Sequence, residues 1–462
     1  MILKNMLKIL VFLQTRITVI NLSIRKSFIA LCLTFLSFFS LIQPAWAFCG
    51  FYVGKADTSL YNQASQVIIA RDKQRTILTM ANDYQGSAKD FALVVPVPVI
   101  LKKEQVQIGD RKIIERLDAF SAPRLVEYFD TNPCDTRMYE SFDAAPAAPS
   151  ASGISGNRMS RKAKDLGVTI EEKFSVGEYD ILILSAKESN GLETWLLQND
   201  YKIPSGANAV LKPYIKQGLK FFVAKVNLQA YAKNEFQALR PLMMAYESSK
   251  FMLPIRLGML NAKGDQDLIV YLLSPQGAME LTNYRTVKVP SDIELPEFVQ
   301  QEFNGFYKAM FKNAYQRSGR NVAFLEYAWN MANCDPCSAD PLNPEELKKA
   351  GVFWMDSPYA SNVFISRLHL RYSREKFPED LKFQTTANQN TFQGRYVMRR
   401  PYRGEMSCSA AQNYKQTVKQ RQEKEAQTLA KLTGWKIEDI RKRIDFLAAE
   451  NLPWWRNIWP SK

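Results

Sequence analysis

Histidine occurs once in this chain of 462 residues, at His369. Any Ser-His-Asp or Cys-His arrangement would have to use that residue, and multi-histidine zinc sites or two-histidine, one-carboxylate iron sites cannot be assembled at all. The sequence carries neither a P-loop nor a dinucleotide-binding glycine fingerprint, and it has no periodic internal repeat. After residue 47 no segment approaches 18 uninterrupted apolar residues, so a chain starting there is expected to be soluble. No metal and no small-molecule cofactor is expected.

What is present begins with a leader. Arg25 and Lys26 precede the apolar run SFIALCLTFLSFFSLI, and Ala45-Trp46-Ala47 follows it. Positive region, short apolar core and A-x-A site in that order read as a secretory signal peptide spanning 1–47. An uncleaved N-terminal anchor is the alternative, since residues 7–20 lengthen the leader. Phe48 is too bulky to precede an acylated cysteine, so lipidation of Cys49 is not expected and the mature chain should start at Phe48. The whole chain has 61 Lys or Arg against 46 Asp or Glu; removing a leader with five basic and no acidic residues leaves a net charge of +10.

Residues 67–99 hold the strand-like runs VIIAR, TILTMAN and FALVVPVPV. Pro96 and Pro98 place the third at a sheet edge or where the chain leaves the sheet, because proline cannot donate to a ladder. A helical pattern covers 113–130, and the small residues of 142–165 read as a flexible loop. Strand signals return in YDILILS (179–185), KFFVAKVNL (220–228), FMLPIRLGML (251–260) and DLIVYLLS (267–274), with a short helix expected at 206–219. Residues 294–332 read as helical, and a three-strand meander of NVFISRLHLRY, DLKFQ and GRYVMRR follows. Beyond about residue 411 the chain is charged and helical, with Ile437, Ile440, Ile444 and Leu447 on one stripe.

The expected fold is therefore α+β, with mainly antiparallel sheets, helical connections and a helical C-terminal extension. The expected segments are a first β-rich lobe at 48–141, the loop at 142–165, a second β-rich lobe at 166–290, a helical segment plus meander at 291–410, and a basic helical tail at 411–462.

Four strings resemble one family: FCGFYVGKAD at the mature start, NDYQGSAKDFALVVPVP, CDPC at 334–337, and RLHLRYSREKFPEDLKF at 367–383. Together they are similar to the secreted bacterial family known as domain of unknown function 2330, over roughly residues 48–405. The resemblance implies an exported bacterial protein, supplies no catalytic residues, and does not extend to the helical tail.

Cleavage would leave Cys49, Cys134, Cys334, Cys337 and Cys408. In an oxidising compartment these are disulfide candidates, and an odd number leaves one free or paired between chains. A bridge from Cys49 would staple the new N-terminus. Cys334 and Cys337 form a Cys-x-x-Cys pair; following NVAFLEYAWNMAN, it is expected at a helix C-terminus, where the thiol pKa would be raised rather than lowered as thiol-disulfide exchange requires. A structural clip is the other reading.

Strand alternation in RLHLRY sets Leu368, Leu370 and Tyr372 on one face and Arg367, His369 and Arg371 on the other. The second face reads either as an anion-contacting strip with a neutral imidazole, extended by Arg395 and Arg399 of the meander, or as a solvated face whose arginines pair with neighbouring carboxylates. Ser373-Arg374-Glu375-Lys376 fits S-x-x-K, but it follows a strand and lacks the companion strings of serine acyl enzymes. Glu345 and Glu346 suit a helix start after Pro344. Trp454, Trp455 and Trp459 could rest on a membrane surface, stack on sugars, or fold onto the body.

The function expected is an exported binding or scaffold protein of the envelope, located in the periplasm or outside the cell. Its partner would be an anionic envelope polymer, a membrane surface or another exported protein, and not nucleic acid. A secreted enzyme using carboxylates or the Cys-x-x-Cys pair is the alternative.

Overall fold

The computed structural model describes residues 51–54, 61–85, 91–135, 167–199, 206–227, 229, 239–260, 264–333, 339–355 and 362–447. The chain opens with β1 (Phe51–Gly54) and the hairpin of β2 (Tyr61–Asp72) and β3 (Arg75–Gln85). The two-residue hairpin turn holds Lys73 in the left-handed region. β4 (Phe91–Val97) is paired on both sides only from Ala92 to Val94; beyond that point β9 alone accompanies it, and the strand ends before Pro98.

β5 (Val106–Ile108) leads into α1 (Arg111–Ser121), started by Asp110, whose side chain accepts from Lys112 N. Here the helical expectation for 113–130 is corrected. Pro123 cannot continue a helix, and the chain turns into β6 (Arg124–Phe129). After β7 (Val168–Val176) and β8 (Tyr179–Ala186) come α2 (Ser189–Gln198), α3 (Ala207–Lys216) and β9 (Lys220–Val226), then β10 (Leu242–Glu247).

The strand expected at 251–260 reduces to β11 (Met252–Leu253), because Pro254 interrupts it; a single 3-10 turn, Gly258–Leu260, follows. β12 (Gln266–Ser274), β13 (Met279–Leu281), β14 (Arg285–Lys288) and β15 (Ile293–Leu295) precede α4 (Phe303–Arg317). The helix expected over 294–332 thus stops at Arg317. Gly319 and Arg320 adopt positive φ, and VAFLEYAWN forms β16 (Val322–Asn330). A strand covered on both faces has no period-two signal to separate it from a buried helix.

α5 (Pro344–Lys349) begins with a capping box of Asn343 and Glu346, in keeping with the carboxylates after Pro344. β17 (Phe364–Tyr372), β18 (Leu381–Thr385), β19 (Phe392–Gln393), β20 (Arg395–Arg400), α6 (Ala410–Thr433) and α7 (Ile437–Arg443) complete the described chain.

The expected meander does not form, because its three strands enter three sheets. β17 lies in a nine-stranded sheet of order β14-β16-β17-β12-β2-β3-β10-β5, with β19 on β16. β18 sits between β11 and β13, and β20 lies between β15 and β6, parallel to both. The expected fold class, α+β with mostly antiparallel pairing and a C-terminal helix, holds. β1 and β4 share a five-stranded sheet, order β1-β4-β9-β8-β7, with strands from the second expected lobe.

The two large sheets face each other across one apolar core. Val67, Ile69, Leu268, Val270, Leu368 and Leu370 meet Val95, Ile181, Ile183, Phe222 and Ala224 there. Burying each of the Val, Ile, Leu and Phe side chains is worth about 1.5–3 kcal/mol. α2 and α3 cover the outer face of the five-stranded sheet through Leu192, Leu196 and Leu211. The outer face of the nine-stranded sheet is covered at one place by α1 and α5 and at another by α4, behind which α6 packs through Ala426 and Leu429. Of the expected stripe, Ile437, Ile440 and Ile444 belong to this layer, although α7 itself ends at Arg443.

Candidate functional site

Between α1 and α4, the outer face of the nine-stranded sheet carries charges instead of apolar groups. Parity on β17 points Arg367, His369 and Arg371 to this face, as alternation requires. The face is not solvated: Arg367 is 4 % exposed, and the His369 side chain 13 %. On β12, Asp267 and Tyr271 stand opposite Arg371 and Arg367.

The remaining carboxylate is supplied by a backbone irregularity. β16 and β17 pair Leu325 with Leu368 and Tyr327 with Arg367, so Glu326 is the extra residue of a β-bulge. Bulges re-aim a side chain, and Glu326, 1 % exposed, reaches both cations. Its Oε2 accepts from Arg367 Nε at 2.6 Å, and its Oε1 faces His369 Nδ1 at 2.7 Å. The Tyr307 hydroxyl donates to the same Oε1.

Asp267 takes two parallel bonds from Arg371, Nε at 2.8 Å and Nη2 at 2.7 Å, and stands 3.5 Å from His369 Nε2. Asp118, on α1, accepts from Arg367 Nη1 at 2.6 Å and from the Tyr271 hydroxyl at 3.1 Å. α4 supplies the lid of rings. Tyr307, Phe311 and Tyr315 recur every four residues, hence on one helix face, and Phe311 stacks on the imidazole with centroids 3.9 Å apart. The Arg371 guanidinium lies 5.2 Å from the Phe311 centroid.

The expectation of a neutral imidazole is corrected by these partners. Burial lowers the His369 pKa, but Glu326 and Asp267 outweigh it and hold it up at about 9. Burial likewise favours neutral carboxyls, yet His369 and Arg367 hold Glu326 down at about 2, and His369 and Arg371 hold Asp267 at about 2. Arg367 and Tyr271 are both raised. Three cations thus face three carboxylates, and each cation stands against at least one of them.

A raised histidine pKa stabilises the fold fully below its unfolded value near 6.5, and that stabilisation is lost as pH rises through about 9. The depressed carboxylates act oppositely: their contribution is present above about 4 and lost as pH falls towards 2. The sole histidine gives a single imidazole signal, which makes the test direct. Its ring nitrogens are expected to titrate by NMR near pH 9; a midpoint at 6.5 or below would show that the carboxylates do not hold the proton.

The anion-contacting strip is accordingly not an open cationic surface, since buried carboxylates lie between its members. Nor do Arg395 and Arg399 extend it. On β20 they face Asp292 and Glu294 in a different sheet. The arginines do pair with neighbouring carboxylates, as the other reading has it, although that reading names none of Glu326, Asp267 and Asp118. The one signal available was an acidic residue inside each of two apolar strand runs.

Of the cysteine candidates, Cys134 and Cys408 form a disulfide, Cα atoms 5.5 Å apart, across 274 residues. Cys49, Cys334, Cys337 and the tryptophans Trp454, Trp455 and Trp459 lie outside the described residues. The helix C-terminus invoked for the Cys-x-x-Cys pair is corrected in any case, because the preceding run is strand β16. Among the described residues no group of three His, Cys, Asp or Glu side chains is arranged to hold a metal ion, and no helix is long and apolar enough to cross a membrane.

A family model described as an uncharacterized protein conserved in bacteria, DUF2330, matches residues 43–384. No curated protein and no solved structure matches the chain.

Proposed function

We propose that this chain, which belongs to the bacterial DUF2330 family, is an exported, disulfide-stabilised binding or scaffold protein of the cell envelope. The observation that carries the reading is the Cys134–Cys408 bridge, which ties the segment after β6 to the start of α6. Such a bond persists where no thiol pool reduces it, outside the cytosol. The leader ending in Ala45-Trp46-Ala47 supports the same compartment, and the net charge of +10 after its removal suits an anionic partner.

The sole histidine supports binding over proton-transfer chemistry. Its Nδ1 is engaged by Glu326 and its Nε2 faces Asp267, so it stands as a fixed cation within a balanced cluster. A general base would need a nitrogen free near neutral pH.

Expression of the full chain in a bacterial host, followed by fractionation and non-reducing peptide mapping, tests the proposal. The expected product starts at Phe48, lies in the periplasm or medium, and yields a linked Cys134–Cys408 peptide pair. A cytosolic product retaining residues 25–46, with both thiols open to alkylation, would overturn it.

A further inference from the structure

Several arginines among the described residues are committed to buried carboxylates: Arg240 to Glu178, Arg256 to Asp380, Arg367 to Glu326 and Arg371 to Asp267. Among the described residues, Arg285 and Lys376 stand against no buried carboxylate, and both lie at one end of the nine-stranded sheet. There β14 and β16 begin and β17 ends, and their loops enclose an open cleft of about 610 Å³ lined by Asn283, Tyr284, Arg285, Asn321, Glu375 and Lys376. That volume is of the size that small-molecule sites have, roughly 300–1,000 Å³.

The cleft's cations are lightly held. Arg285 is exposed, and the one bond seen for it among the described residues is Nη2 donating to Ser318 O at 3.2 Å. Lys376 Nζ is 2.9 Å from Glu375, whose side chain is 81 % exposed. Such solvent-facing pairs contribute little, so an incoming anion displaces Glu375 at small cost.

The walls, by contrast, are fixed. The Tyr284 hydroxyl donates to Glu379 O at 3.0 Å and accepts from Glu379 N at 2.9 Å. Asn283 Nδ2 donates to Asp380 O at 2.8 Å, and its Oδ1 accepts from Lys382 N at 3.0 Å. The Asp380 carboxylate is itself held by Tyr214, by the main chain of Ile255 and Arg256, and by the Arg256 guanidinium. On the opposite wall the positive φ of Gly319 and Arg320 sets the turn that presents Asn321. Rigid walls keep the ordering cost of binding low.

We propose that this cleft binds an anionic group carried on a hydroxyl-rich chain, a phosphorylated or carboxylated saccharide or polyol. Arg285 and Lys376 take the anion, the Asn321 amide takes hydroxyls, and the Tyr284 ring, packed at a tilt against Phe377 with centroids 4.5 Å apart, offers an apolar wall for the carbon skeleton. The inference rests on the envelope-binding reading and gives it a site.

Calorimetry at physiological salt tests it with three probes of equal length: an oligo(glycerol phosphate), an oligogalacturonate and a neutral malto-oligosaccharide. At least one anionic probe is expected to bind, the neutral one not, and which of the two binds identifies phosphate or carboxylate as the group. Arg285→Glu combined with Lys376→Glu should weaken binding at least tenfold while leaving the melting point unchanged, as both residues lie at the surface. Lys424→Glu, at an exposed position on α6, should change it less than twofold. Equal weakening by Lys424→Glu would overturn the cleft while leaving an anion-attracting protein in place. Equal binding of the neutral probe would overturn the anionic class, and binding of neither anionic probe would overturn the site, with export still judged by its own experiment.

Discussion

Glu326→Leu is expected to lower the stability of the folded chain by about 3–5 kcal/mol, read as a shift of the urea midpoint at pH 7. The reason is asymmetry. The wild-type carboxylate accepts from Arg367, faces His369 and receives the Tyr307 hydroxyl; deleting it leaves a buried guanidinium with only the half-exposed Asp118 and a buried imidazolium with only Asp267, which Arg371 already shares. His369 relieves part of the cost by releasing its proton, so its titration midpoint should fall from about 9 towards neutrality in the variant. Arg367 cannot do so. Removing all three members together, as Glu326→Leu with Arg367→Leu and His369→Leu, should regain part of the loss, because a buried ion cluster contributes little over apolar groups of similar volume. A loss below about 1 kcal/mol in the single variant, with the histidine midpoint unmoved, would mean that water reaches these groups and that the cluster does not hold the sheet to its helices.

How much of this was legible in the sequence follows from where the partners lie. The side of β17 that bears Arg367, His369 and Arg371 could be read from alternation alone, since period two is a local property. The identities of Asp267, Glu326 and Asp118 could not, because they come from β12, β16 and α1, as many as 249 residues away. Glu326 was further hidden twice. Its strand is buried on both faces and so lacks alternation, and its side chain reaches the site only through a bulge that no residue type announces. Other departures had visible causes: Pro123 and Pro254 each end an element that apolar pattern alone extended. The meander failed for a different reason. The loop after Tyr372 is short but is anchored through Asp380 to Tyr214 and Arg256, and β18 pairs with β11 and β13 instead of β17.

The Cys134–Cys408 bridge is a covalent link between distant parts of the chain, and its loss is expected to be of similar size to that of Glu326. For a loop of 274 residues the chain-entropy model gives roughly 5 kcal/mol, with smaller values common in practice. The native contacts around the bridge should survive its removal, because the same two segments are joined independently. Asp130, just past β6, accepts from Arg421 of α6 at 2.9 Å and from the Tyr414 hydroxyl at 2.8 Å, while Arg400 pairs with Glu127. Cys134→Ser with Cys408→Ser should therefore leave the near-ultraviolet spectrum of the folded state nearly unchanged. The effect falls on the unfolded state: the open chain expands, so the urea midpoint drops and the slope of free energy against urea steepens. The sum of those two changes distinguishes a constraint on the unfolded ensemble from a broken native contact, which would lower the midpoint at constant slope. An unchanged midpoint in the double variant, with the wild-type bridge verified by mass, would show that the link closes no loop that unfolding opens.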